Sequence, residues 1–316
     1  SFNEITNKNV IFLESYNNLE ATRFLIQNLS NVAIIAKKRS SYNQELNNVF
    51  YLEDIYLSKF SMKKLVYAFY LFFNKNYGTK NLGLIPHYFD APEFCENLIY
   101  DNKPKSLHFS NDHNPFARSL MIAANKHKIK SFYYQHASVT NIFPPLVVKA
   151  AFLWGQYSKN IYHGKSGEKV NIYLSGFNKA DNYKKIICSK SKNKTIGIAY
   201  NMLNKMEEID QLIKFLLQNL PEYKYIIRPH PGDDRQIKEQ NGISTSLAKN
   251  EGSLEYLSRI DYLVSGNSSI LLEAAIMNVL PIKYFGNQSV KGYSNDFYGF
   301  IEQGVAEPAK DFEEIL

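Results

Sequence analysis

Short runs of consecutive apolar residues alternate with longer segments whose apolar positions recur at helical spacing, and this alternation continues along most of the chain. The short runs read as strands buried on both faces, and the amphipathic segments as helices that cover them. The pattern predicts strands over residues 10–14, 32–36, 106–109, 131–134 and 151–154, with helices over 19–29, 63–73, 93–100 and 115–126. From 178 to 194 a polar, lysine-rich stretch interrupts it. Strands over 195–199, 223–227, 262–264 and 281–284 follow, with helices over 206–220, 253–260 and 268–277.

A strand–helix–strand alternation returns each strand in the same direction, so the expectation is an α/β fold with parallel sheets. The polar break divides it into two Rossmann-like domains, residues 1–185 and 186–316, with the C-terminal ends of both sheets facing an interdomain cleft. Residues 310–316 read as a helix that crosses back to the first domain.

Length agrees with this division, since 316 residues exceed one ordinary core and suit two domains of roughly 150. Lys and Arg number 37 against 30 Asp and Glu, a net charge of +7 that favours an anionic partner. The charges are scattered and no nucleic-acid-binding signature accompanies them, which argues against nucleic acid. The two cysteines, Cys95 and Cys188, lie far apart and outside any metal-ligand spacing, as reduced thiols of a cytoplasmic protein do. No apolar stretch approaches the roughly 20 residues of a membrane span. Basic and aromatic faces suit a peripheral association with the inner membrane surface.

Two segments carry the chemistry of the second half. Arg228-Pro229-His230-Pro231-Gly232-Asp233 lies at the end of one expected strand, and Ser265-Gly266-Asn267-Ser268-Ser269 at the end of another, opening a helix. Serine hydroxyls and backbone N–H groups at a helix start suit a phosphate, with Gly266 and Asn267 forming the turn. His230, its direction restricted by prolines on both sides, is placed to hydrogen-bond and protonate the same phosphate. Arg228 is expected to add a bidentate phosphate contact or to pair with Asp233. Glu255 and Glu273, on the two flanking helices, are the candidates for ribose hydroxyls.

In the first half, Asp112 follows one strand and precedes a helix, where it is placed to deprotonate an acceptor hydroxyl, with His113 as second candidate. Gln135 and His136 lie on the loop after the next strand, and Glu14 ends the first strand; all three are candidates for substrate contact. No Asp-x-Asp in a chelating setting, no P-loop and no GxGxxG turn occurs. The expectation is therefore metal-independent transfer from a nucleotide-sugar donor, with no cofactor, onto a glycan or glycolipid.

His230-Pro231 and Ser268-Ser269 resemble the HP and SS motifs of bacterial GT-B glycosyltransferases that use CMP-activated nonulosonic acids, the sialyl- and polysialyltransferases. The resemblance covers about residues 105–285. It implies that the histidine and serines bind the CMP phosphate and that Asp112 is the base. The family's acidic-acidic-Gly base motif is replaced here by Asn111-Asp112-His113. The Gln135-His136 pair is similar to the Gln-His-Gly of Kdo and glycerophosphate transferases of capsule biosynthesis, with Ala137 in place of Gly. Transfer of a nonulosonic acid to a capsule or lipooligosaccharide hydroxyl is the function this implies. A CDP-glycerol, CMP-Kdo or UDP-sugar transferase, a UDP-sugar epimerase and a non-catalytic glycan-binding subunit are the alternatives.

Overall fold

The structure, a computed structural model, describes residues 5–39, 48–56, 62, 66, 85–166, 169–189, 194–233, 235, 242–247, 250–284 and 296–316. The chain divides into two compact units, Ser1–Asn178 and Lys179–Leu316.

The first unit contains β1 (Asn9–Leu13), β2 (Val32–Ala36), β3 (Val49–Tyr51), β4 (Ser106–Phe109), β5 (Lys130–Tyr134), β6 (Ala150–Leu153) and β7 (Asn171–Leu174). They form one parallel sheet in the order β3-β2-β1-β4-β5-β6-β7. Its helices are α1 (Tyr16–Asn28), α2 (Leu52–Ile55), α3 (Ile85–Asn102), α4 (Pro115–Lys126) and α5 (Gln156–Ser166). Every residue of β1, Asn-Val-Ile-Phe-Leu, is buried because both faces are covered. Val10, Phe12, Leu107 and Phe109 pack into the main core with α4, whereas Ile11, Leu13 and Ile34 pack with Leu19 and Leu25 of α1.

The second unit contains β8 (Thr195–Tyr200), β9 (Lys224–Pro229), β10 (Ile243–Thr245), β11 (Tyr262–Ser265), β12 (Leu280–Tyr284) and β13 (Glu307–Ala309). They are again parallel, in the order β10-β9-β8-β11-β12-β13. Its helices are α6 (Lys184–Ser189), α7 (Met206–Asn219), α8 (Ser253–Ser258) and α9 (Ile270–Ile276). Helix α7 buries Ile209, Leu212, Ile213 and Leu216 on one face, each worth about 1.5–3 kcal/mol of apolar burial. Gly197, within β8, lets Tyr256 and Ile260 lie close against the strand.

The C-terminal stretch corrects one expectation. Residues 307–309 add edge strand β13 to the second sheet and Glu313–Ile315 form a short 3-10 turn, so this segment stays in the second unit. The polar break contains a 3-10 helix, Asn178–Tyr183, followed directly by α6. Strands β3, β7 and β10 and helices α2 and α5 were not expected from the pattern. The helix expected over 63–73 lies, apart from Val66, outside the described residues.

In each sheet the order of strands creates one place where neighbouring connections depart in opposite directions. The chain leaves β1 toward β2 and β3, then resumes at β4 on the other side of β1. It leaves β8 toward β9 and β10, then resumes at β11 on the other side of β8. At such switch points the carboxyl ends of the two strands open a crevice in which ligands of open α/β sheets bind.

Candidate active site

The crevice of the first unit lies between the ends of β1 and β4. Glu14 follows β1, and Ser110-Asn111-Asp112-His113-Asn114 connects β4 to α4. The Asn111 side chain organises this turn: its Oδ1 accepts from the N–H groups of His113 and Asn114, each at 3.1 Å. Pro115 then occupies the first helical turn, where a missing N–H costs nothing. Asn111 therefore folds the turn, and Asn114 takes the N-cap position, so the Asp112 carboxylate is left for another task.

Asp112 is fully buried. Its Oδ2 accepts from the Tyr162 hydroxyl of α5 at 2.5 Å, and its Oδ1 lies 3.0 Å from Nδ1 of His113. His113 is the exposed partner, with a side chain 40% accessible against 0% for Asp112. Its hydrogen bond to Asp112 raises the imidazole pKa above the ordinary value, against the lowering effect of burial. With Nδ1 held by the carboxylate, Nε2 is the nitrogen left to take a proton. The structure thus buries the Asp112 carboxylate, the expected base, and exposes the imidazole of His113, the second candidate, which that carboxylate orients.

Glu14 is buried at the same crevice, with Oε2 accepting from Asn114 Nδ2 at 2.6 Å and Oε1 3.7 Å from Lys37 Nζ. Burial raises its pKa above the usual carboxylate value, and Lys37, Asn114 and His113 oppose that shift. Phe143 lies against the His113 ring at 5.0 Å between centroids. Gln135 points inward: its Oε1 accepts from Trp154 N–H at 2.8 Å and its Nε2 donates to the Ala137 carbonyl at 3.0 Å. It ties the ends of β5 and β6 together, with one Nε2 hydrogen and one Oε1 lone pair beyond these two bonds. His136 beside it is half-buried.

The second crevice lies between the ends of β8 and β11. Asn201 follows β8, and its Nδ2 donates to the Asn267 carbonyl at 3.3 Å across the crevice. Asn201 Oδ1 accepts from Leu203 N–H, and Asn204 Oδ1 from Asn201 N–H, both at 2.9 Å, so the two asparagines fold the turn. Below it Ser265 Oγ donates to the Ala199 carbonyl at 2.9 Å. Asn267 Oδ1 is buried and accepts no hydrogen bond among the described residues. Ser268 Oγ accepts from Ile270 N–H at 3.4 Å, while Ser269 takes the N-cap position of α9 without a side-chain cap bond.

His230 follows β9, beside β8, and its N–H donates to the Tyr200 carbonyl at 2.8 Å. The turn His230-Pro231-Gly232-Asp233 closes with Asp233 N–H donating to the His230 carbonyl at 2.8 Å. Gly232 N–H donates to His230 Nδ1 at 3.1 Å, so the neutral ring carries its proton on Nε2. Burial lowers the His230 pKa. Nε2, carrying the proton, is thus the ring nitrogen left to donate.

Arg228 and Asp233 do not pair. Arg228 is buried within β9, its Nη1 donating to Ser246 Oγ at 2.6 Å and its Nη2 to the Glu251 carbonyl at 3.1 Å, with the guanidinium 5.3 Å from the Tyr256 ring centroid. It braces the strand instead of facing outward. Asp233 instead takes Arg235 in a two-pronged contact, Nε to Oδ1 at 2.8 Å and Nη2 to Oδ2 at 2.6 Å. Arg235 also donates to the carbonyls of Asn201 and Asn204, each at 2.9 Å, and so fastens the His-Pro turn to the β8 turn. Of the two ribose candidates, Glu273 is buried on α9 and contributes to the field at Arg228, whereas Glu255 is exposed on α8.

Sequence reasoning missed Tyr162, Asn114, Asn201, Asn204 and Arg235. The Asn-x-x-Asn spacing after β8 is a turn signal that could have drawn attention to the second crevice. Among the described residues no group of three His, Cys, Asp or Glu is placed to hold a metal ion, and no helix is long and apolar enough to cross a membrane.

Neither a protein-family model nor the sequence of a curated protein matches the chain. Solved structures do. The UDP-GlcNAc 2-epimerase of Neisseria meningitidis bound to UDP-GlcNAc matches with a TM-score of 0.58 and 10% identity, over 98% of this chain and 89% of that one. The S. aureus MnaA–UDP structure matches with a TM-score of 0.59 and 11% identity, over 96% and 84%. MurG of Acinetobacter baumannii matches with a TM-score of 0.52 and 10% identity, over 98% and 88%. At these identities the likeness establishes the fold: two Rossmann-like halves with parallel sheets, as in GT-B proteins.

Proposed function

We propose that the chain is a metal-independent glycosyltransferase that uses a nucleotide-activated sugar. Its second unit holds the nucleotide phosphate and its first unit supplies the base. The observation that carries this reading is the Asp112–His113 pair at the first switch point: a buried carboxylate 3.0 Å from an exposed imidazole whose pKa it raises. Such a pair serves to accept the proton of an acceptor hydroxyl as its oxygen attacks the anomeric carbon, with Asp112 stabilising the imidazolium that forms. His230 donates from Nε2 to a phosphate oxygen, and the Ser268-Ser269 segment presents hydroxyls to the same anion. As the glycosidic bond to phosphate breaks, the electron pair passes to that oxygen, and donors already in place stabilise the charge.

Glu273, buried on the helix that opens from the serines, is the better candidate for ribose than the exposed Glu255. The HP and SS motifs support a CMP-linked nonulosonic acid as donor and a surface glycan as acceptor. The solved structures of like fold that carry UDP or UDP-GlcNAc support a uridine nucleotide and a second reading, epimerisation of a UDP-sugar. Donor breakdown measured over CMP-, CDP-, UDP- and GDP-sugars, with and without glycan acceptors, separates them. Acceptor-dependent release of nucleotide supports transfer, and acceptor-independent interconversion of a UDP-sugar supports epimerisation. Should His113→Gln and His230→Ala both retain full turnover with every donor that is processed, the site assignment fails.

A further inference from the structure

The edge of the first sheet opposite His113 carries a row of cations. Reading across β1, β4, β5, β6 and β7, a lysine stands at the N-terminal end of each strand or within two residues before it. Lys8 precedes β1, and Lys105 precedes β4 with its N–H donating to the Lys8 carbonyl at 2.9 Å. Lys130 opens β5, with Lys128 two positions before it. Lys149 precedes β6, its N–H donating to the Ser131 carbonyl at 2.9 Å, and Lys169 stands near the start of β7. Adjacent strands are about 4.8 Å apart, so five neighbouring strands set these charges along a line of roughly 19 Å.

All but the half-buried Lys8 are exposed, and among the described residues none of these lysines has an acidic ion-pair partner. Lys103 and Lys128, just after α3 and α4, even sit in the left-handed backbone region at φ 44° and 58°, where glycine or asparagine is the low-cost residue. Beside the row, Tyr100 in the last turn of α3 is 61% exposed and lies tilted against His127 at 5.6 Å between ring centroids, and Ile122, one turn before Lys126, is 53% exposed.

We propose that this edge is a docking surface for an anionic lipid bilayer. A line of unpaired lysines matches the potential of an acidic headgroup layer, and each basic residue near such a surface contributes about fivefold to partitioning. Tyr100 and Ile122 supply the apolar side chains that enter the interface. Nucleic acid is the lesser match, because the row has no interleaved aromatics on which bases stack. Strand β4, four residues long, spans about 13 Å, and the candidate base lies beyond its end away from the lipid-facing edge. An acceptor reaching it therefore stands off the membrane as an extended glycan rather than lying among the headgroups. The docking surface itself is independent of the donor assignment.

The test is flotation with vesicles of phosphatidylcholine alone or with phosphatidylglycerol, across a salt series. The wild type is expected to float only with anionic vesicles and to be released as salt rises. Lys105→Glu/Lys130→Glu/Lys149→Glu is expected to lose partitioning by on the order of 10²-fold. A control with the same change in net charge on the second unit, Lys214→Glu/Lys224→Glu/Lys310→Glu, is expected to stay within about threefold of wild type. Circular dichroism melts of both variants confirm folding. Tyr100→Ala is expected to weaken the binding that survives at high salt. Equal losses in the two triple variants, absence of wild-type binding to anionic vesicles, or tighter retention on duplex DNA than on vesicles overturns the proposal.

Discussion

A methyl group added at Gly197 tests the packing that positions the second crevice. An ideal Cβ there would lie 2.3 Å from the Tyr256 hydroxyl, 2.4 Å from Ile260 Cδ1 and 3.0 Å from Tyr256 Cζ. Ordinary contact begins near 3.4 Å, so both neighbours must retreat by about an ångström. Neither has room, since Tyr256 and Ile260 are both fully buried. Overpacking of this kind costs about 1–3 kcal/mol. Displacing Tyr256 also strains its hydroxyl's bond to the Ile226 carbonyl at 3.3 Å, worth about 1 kcal/mol. Gly197→Ala should therefore cost roughly 2–4 kcal/mol, a large share of the about 5–15 kcal/mol that stabilises an ordinary domain.

Because the chain has two units, the assay is urea unfolding followed by probes in each, such as hydrogen exchange read on peptides from β8 and from β4. The loss should appear in the second unit. Relief should follow from removing the obstacles. Tyr256→Phe and Ile260→Val, each somewhat destabilising alone, should be less so in the Gly197→Ala background, giving a coupling energy of about 1 kcal/mol or more. A Gly197→Ala protein as stable as wild type, or exact additivity with both relief substitutions, would show that the close approach described here is not the native packing.

Other expectations concern the chemistry. Asp112 holds His113 above its ordinary pKa, so the proton-accepting form appears only as pH rises through that raised value; activity should climb with it, and in Asp112→Asn the climb should move to lower pH with kcat reduced about 10²-fold or more. A steady-state pH profile checks both. His230→Ala should weaken nucleotide binding by about 10-fold or more, whereas Gly232→Ala should stay within about twofold, because its new Cβ would meet His230 Nδ1 at an ordinary 3.5 Å; calorimetric titration distinguishes them. Arg235→Met should loosen both turns and lower nucleotide affinity without changing the pH profile set by His113. Burial pushes the Cys95 thiol far above its usual pKa, so iodoacetamide should label at most one of the two cysteines in the native chain and both in denaturant, read by intact mass.

Much of the framework was legible because central strands are short, mostly apolar runs. β1, β8 and β11 announce themselves this way, and α4 and α7 by their apolar stripes, whereas β4, Ser-Leu-His-Phe, carries a histidine within it. Strands β3 and β10 are three residues long, too short to show a period, and β7 is an edge strand with a mostly exposed pattern. Helix α3, expected only over 93–100, begins at Ile85 and carries Pro92 inside. The site was legible as two loops but not as contacts. Asp112 and His113 are neighbours in sequence, and only burial against Tyr162 decides which of them faces outward. Arg228 and Asp233 look like partners five residues apart. A strand that buries the arginine and a turn that brings Arg235 back assign them elsewhere.

The placement of β1 in the middle of the first sheet has a consequence for biosynthesis. Its one neighbour is β2, close behind in the chain, but its other neighbour is β4, and the Ser106–Asn9 side-chain bond spans 97 positions. At about 5–20 residues per second, a ribosome leaves that edge of β1 unpaired for roughly 5–20 s after it emerges. Glu14 waits for Asn114 over the same interval. The pocket thus assembles only once residue 114 has emerged, and slowing or pausing synthesis between residues 36 and 106 should raise the fraction of nascent chains captured by chaperones.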